Sequence, residues 1–124
     1  DLAKLMQLYL NGGTYGGDRY LSEATLNTFN SRPYESEGIY RGIGFDKPLL
    51  KYDPEKSHTA AAASPESFGH SGFTGTFAWV DPKEQLIFIF FSNRVYPTRD
   101  NRKLIEMRIR QRVQEAIYRV VAGK

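Results

Sequence analysis

The stretch that most constrains this chain is Phe68 to Asn93, which reads as two strands joined by a tight turn, approached through glycines that flank His70. Thr76 to Val80 is rich in β-branched and aromatic residues, which suit a pleated surface. Asp81-Pro82-Lys83-Glu84 is a turn signal, because Pro presets φ and Asp can close a side-chain turn. Leu86 to Phe91 is apolar at every position. Alternation would leave one face wet, so an unbroken run predicts a central strand covered on both sides.

The remainder must supply the cover. Leu2, Leu5, Met6, Tyr9 and Leu10 recur at helical spacing, with Asp1 as N-cap and Asn11-Gly12-Gly13 as the stop. A Gly-rich turn follows to Gly17, and Ser22 caps a short helix ending near Phe29, with Pro33 barring continuation. Ile39 to Phe45 reads as a strand whose glycines at 42 and 44 mark a bulge or the close approach of another backbone. Lys47 to Pro65 is a long polar segment, of the kind that is often functional or mobile. A last helix, capped by Asp100 or Asn101 and running to about Val121, carries the stripe Ile105, Ile109, Val113, Ile117 and Val120. The fold class is therefore α/β of the α+β type: an antiparallel sheet of about three strands between N- and C-terminal helices.

Composition excludes several classes. With 124 residues there is one domain at most, and with no Cys there is neither a disulfide framework nor thiolate chemistry. No apolar run approaches the roughly 20 residues of a membrane helix. From Arg94 to Lys124 nine Lys/Arg face three acidic residues, a local balance of +6 within a net charge of +3. A solvated helix face explains that run, and no nucleic-acid partner is expected; a nucleic-acid contact would show affinity falling steeply with salt. The chain starts at Asp1 inside a helix pattern, as a piece cut from a longer sequence would.

His70 is the sharpest candidate for chemistry: between Gly69 and Ser71-Gly72, ahead of a strand, it can exchange a proton near neutral pH. An ordinary loop histidine would look the same. Gly69-His70-Ser71-Gly72 is not G-x-S-x-G, so Ser71 is not read as a nucleophile. His58 lies near Asp53 and Glu55, but two histidines in the whole chain do not make a metal site, and no phosphate loop occurs. Neither metal nor cofactor is expected.

The run from Gly69 through Asn101 resembles the C-terminal part of the serine β-lactamase and penicillin-binding-protein superfamily, in its class C-like branch of esterases and D-alanyl-D-alanine peptidases. His70-Ser71-Gly72 sits at that family's third motif, and Gly72-Phe73-Thr74-Gly75 is similar to the turn that follows. Gly42-Ile43-Gly44-Phe45 resembles the preceding segment, and Asp1-Leu2-Ala3-Lys4-Leu5 the helix that opens at the end of a Ser-x-x-Asp-Leu signature. The nucleophile motif S-x-x-K is absent, since no serine has Lys three positions on. Tyr9-Leu10-Asn11 matches Y-x-N only as a string, on a helix past the place of the second motif.

The resemblance implies that residues 1–124 are the C-terminal fragment of such a domain, inert alone, with the missing N-terminal part as its partner. It implies a serine hydrolase of amide or ester bonds acting through an acyl-enzyme in the parent. His70 would be catalytic, with Ser71, Gly72, Thr74, Gly75 and Thr76 binding substrate, and main-chain groups from Thr74 to Phe77 forming a wall of the site. The tail from Arg99 to Tyr118 is similar to that of bacterial proteins that add a family-3 glycoside hydrolase domain, and the implied location is periplasm or cell envelope. The alternative is a non-catalytic module that binds an extended peptide or cell-wall ligand along a sheet edge. A fragment with an unpaired edge is also expected to form homodimers.

Overall fold

The computed structural model describes residues 1–121 and 123. Helix α1 (Leu2–Leu10) ends where the Gly13 N–H donates to Leu8 O, with Gly12 and Gly13 at φ 64° and 95°. A two-residue hairpin, β1 (Thr14–Tyr15) with β2 (Asp18–Arg19), turns on Gly16-Gly17. Helix α2 (Glu23–Asn30) is capped by Ser22, whose Oγ accepts from the Thr25 N–H at 3.0 Å. After a 3₁₀ turn at Glu35–Glu37 and a long irregular passage come β3 (Phe68–Ser71), β4 (Phe77–Asp81) and β5 (Leu86–Phe90), then α3 (Lys103–Glu106) and α4 (Ile109–Val121).

The three long strands form one antiparallel sheet in the order β3-β4-β5. The central strand is β4, and among the described residues β5 pairs with β4 alone. The expected central position of Leu86–Phe91 is thus corrected: only Phe88 of β5 is buried, and Phe91 is exposed. Alternation separates two faces. Phe68, Ala78, Val80, Ile87 and Ile89 pack with Met6, Tyr9, Leu10 and Phe45 on the α1 side. Phe77, Trp79, Phe88 and Phe90 pack with Ile117 on the α4 side.

Two further expectations are corrected. Residues 39–45 are not a strand: the Ile43 N–H donates to Phe29 O at 2.7 Å, and a Cβ on Gly42 would lie 2.5 Å from that same oxygen. The segment docks on the end of α2, so Gly42 does mark a close backbone approach, but not within a sheet. The final helix is also interrupted. Arg108 sits at φ 51°, which breaks α3 from α4 and shifts the helical phase. The buried residues of α4 are Gln114 and Tyr118, while Val113 and Val120 of the expected stripe are exposed.

Polar anchors set that phase. The Gln114 Oε1 accepts from the Ala60 N–H at 2.8 Å, and the Tyr118 hydroxyl donates to Asp81 Oδ2 at 2.5 Å. Asp81 also accepts from the Ser64 N–H and hydroxyl at 2.9 and 2.6 Å, and from the Lys83 N–H at 3.1 Å, closing the β4–β5 turn. One carboxylate thus ties α4, the 57–67 passage and the hairpin together.

Candidate active site

His70 lies on β3 opposite Ala78, and so on the α1 face of the sheet. Its side chain is 60% exposed, and Nδ1 is 3.1 Å from Asp46 Oδ2. Asp46 is held from two further directions. Its main chain pairs with Gly69, N–H to O at 2.7 Å and O from N–H at 3.1 Å, and its Oδ1 receives Arg41 Nε at 3.1 Å. On its other side Gly69 lies close against β4, where a Cβ would be 2.1 Å from Ala78 O.

The Asp46–Gly69 pair is the only bridge on the outer edge of β3 among the described residues. Hydrogen bonding alternates along a strand, so the main-chain N–H and C=O of Ser71, two residues on, point to the same outer side. Beyond Asp46 that edge is open, and an extended ligand could add there beside His70.

The turn into β4 is braced internally. The Gly72 N–H donates to Thr76 O at 2.8 Å and the Gly75 N–H to Gly72 O at 2.9 Å. Gly75 stands at φ 94°, with Ser92 Oγ where a Cβ would point. Thr74 O accepts from both the Arg94 N–H and the Ser92 hydroxyl, and Thr76 O also receives Arg110 Nη1 at 3.4 Å. The carbonyls of Thr74 and Thr76 are therefore engaged within the chain, whereas among the described residues nothing bonds the outward main chain of Ser71. Next to the turn, Arg94 stacks on Phe73 at 4.7 Å, and these two line a 450 Å³ hollow with Arg99, Asp100 and Arg102. That leaves a basic, aromatic shelf at the same end of the sheet.

The structure thus gathers His70, Ser71, Gly72, Thr74, Gly75 and Thr76 into one connection between β3 and β4. Sequence reading did not find Asp46, the partner of His70, or Arg41, which pairs with Asp46. Asp46 lies 24 residues away in the chain, at no spacing that a motif would flag.

Other candidates are structural. Tyr9 packs edge-on to Phe45 at 5.0 Å, and Asn11 caps α1, so the Y-x-N string performs no chemistry here. His58 sits edge-on to Trp79 at 5.5 Å with Nε2 buried and unpartnered. Burial, helped by Arg110, Arg41 and His70, pushes its pKa down against the pull of Asp46. Among the described residues no cluster of three or more potential ligands could hold a metal, and no helix is long and apolar enough to cross a membrane.

Lys47, next to Asp46, is 6% exposed and donates to Glu66 O at 2.8 Å. Burial, with Arg32 alongside, pushes its ammonium down to about 8 against Glu66 and Asp81.

A protein from Salmonella paratyphi B, provisionally named a D-alanyl-D-alanine carboxypeptidase, is 32% identical over 107 residues; proteins of the same name from Salmonella newport and Salmonella heidelberg match equally. The match covers 84% of this chain but 23% of each relative, so the chain spans about a quarter of their length. The Beta-lactamase family model matches residues 1–111, nearly the whole chain, and this chain belongs to that family.

Proposed function

We propose that this chain is the C-terminal portion of a serine hydrolase that cleaves amide or ester bonds, such as those of cell-wall peptides, through an acyl-enzyme. Family membership over residues 1–111 supports the reaction class. The observation that carries the site is an exposed imidazole, His70, beside the open strand edge at Ser71. In this reading the nucleophilic Ser, absent from these 124 residues as an S-x-x-K, comes from sequence outside them. Its Oγ bonds to the substrate carbonyl carbon, the bond to the leaving nitrogen or oxygen breaks, and the proton lost by Oγ is replaced on the leaving group. Water then releases the acid and restores the serine.

The chain's own part is threefold. The Ser71 main chain aligns an extended substrate, His70 lies in the proton path or meets the substrate carboxylate, and the turn from Gly72 to Thr76 holds β3 and β4 in register. The fragment by itself is inert, because no acyl-enzyme can form without the nucleophile. The location is the cell envelope, by the nature of the substrate.

Exposing the intact protein to a fluorescent penicillin and an ester probe, with mass spectrometry of the adduct, tests this. The expected result is an adduct on a serine outside this chain, formed at least tenfold more slowly in His70→Ala. A folded protein that forms no adduct with either probe would instead be a module that binds extended ligands at the β3 edge.

A further inference from the structure

We propose that Asp46 is a positioning residue that holds His70 as its Nδ1–H tautomer, leaving Nε2 as a proton acceptor at the open edge of β3. The tautomer follows from geometry alone; its catalytic consequence rests on the place given to His70 above.

An ionised carboxylate only accepts hydrogen bonds, so the 3.1 Å contact of Asp46 Oδ2 with Nδ1 puts the ring proton on Nδ1. Asp46 is not a casual partner. Its main chain is paired with Gly69, the residue before His70, so carboxylate and imidazole are carried by adjoining backbone. Arg41 occupies Oδ1, which leaves Oδ2 for the ring. Among the described residues no group bonds Nε2. A free neutral imidazole in water favours the opposite, Nε2–H form, so the carboxylate reverses the intrinsic preference.

In its neutral form this tautomer suits the proton-path role of the two open to His70. A neutral ring with its lone pair on Nε2 cannot donate from that atom to a substrate carboxylate. It can take a proton there and later return it to the nitrogen or oxygen that leaves the acyl carbon, so the protein's proton count is unchanged over the cycle. While the ring is charged, Asp46 lies against it and offsets the charge. His70 is thus assigned to the proton path, with Asp46 as its orienter and Arg41 as the brace of Asp46.

Nitrogen-15 imidazole NMR on the intact protein, at a pH where the ring is neutral, reads the tautomer directly. The expected His70 pattern is Nδ1–H in the unmodified protein, a majority of Nε2–H in Asp46→Ala, and retained Nδ1–H in Arg41→Met. An Nε2–H pattern in the unmodified protein, which needs no variant to fold, overturns the proposal, as does an unchanged pattern in a folded Asp46→Ala.

Acylation of the intact protein tests the consequence. Asp46→Ala should slow the acylation step roughly 10- to 100-fold while probe affinity stays within about threefold. Added to His70→Ala it should slow nothing further, because both act through one ring. If His70→Ala slows acylation but Asp46→Ala does not, positioning is wrong and the site stands. If neither slows it, His70 is off the proton path. If no probe acylates the protein, the function proposed above fails while the NMR result still decides the tautomer.

Discussion

Two aspartates, one at the end of β4 and one beside the outer edge of β3, divide this molecule. Asp81, where β4 meets its turn, is 1% exposed and accepts hydrogen bonds from Ser64, Tyr118 and main-chain amides in three separate parts of the chain. Asp46, beside the outer edge of β3, is partly open and receives an exposed histidine and a half-exposed arginine. The first is surrounded by donors that have no other use. The second orients a group that faces outward. A buried carboxylate with every lone pair filled stabilises a fold, whereas one that fills half its capacity with a reactive, solvent-facing ring has been placed for that ring.

The largest effect that tests this contrast is on stability. Asp81→Ala strands the Tyr118 hydroxyl and both Ser64 donors in the interior, and should cost about 4 kcal/mol, enough to unfold much of a marginally stable chain. Asp46→Ala should cost less than about 1 kcal/mol, because its partners reach water. Urea denaturation followed by Trp79 fluorescence measures both, and equal losses would erase the distinction.

A smaller effect lies at acid pH. Burial pushes the Asp81 carboxyl up, but the hydrogen bonds from Ser64, Tyr118 and the Glu84 N–H outweigh it and hold the group below its ordinary 3.8. The unfolded chain therefore binds the proton first. The stabilisation is complete above about pH 4 and is lost as pH falls through the lower folded value. Tyr118→Phe should weaken that acid dependence and cost about 1.5 kcal/mol at neutral pH. An acid limb unchanged by this variant would remove Tyr118 from the account.

The smallest effect belongs to Lys47, a buried cation lodged between the two aspartates. Its folded value near 8 lies below the ordinary 10.5, so the unfolded chain holds the proton across that interval and stability should rise with pH there. Lys47→Met should flatten the rise and add roughly 1 kcal/mol at neutral pH, a figure discounted for partial solvation. A variant that is less stable at neutral pH would mean that the bond to Glu66 O outweighs the burial of charge.

How much of this could be read from the chain differs by region. The β4–β5 hairpin was legible, because turn chemistry and β-rich runs act over a few residues; β3 was not, since the glycine-flanked approach expected to carry His70 is itself a strand. The apolar run of β5 correctly signalled a strand, yet its neighbours decide whether a strand is central, and β4 has two where β5 has one. Val113 and Val120 follow a helical period that the left-handed Arg108 puts out of phase with the sheet. The apolar face they leave, with Ile117 and Val121, lines a 670 Å³ groove.

By itself, then, the sequence determined the elements whose causes are local: the Ser22 cap, the glycine stop after α1, the hairpin, and the glycine-flanked His70 at the mouth of β4. Only the tertiary structure decided which group His70 is bonded to. Asp46 is a single acidic residue after an unremarkable Phe45, and nothing within several positions marks it. Its meaning comes from a main-chain pairing with Gly69 across 22 residues of intervening chain, and contacts of that range are set by the packed fold and not by any local preference.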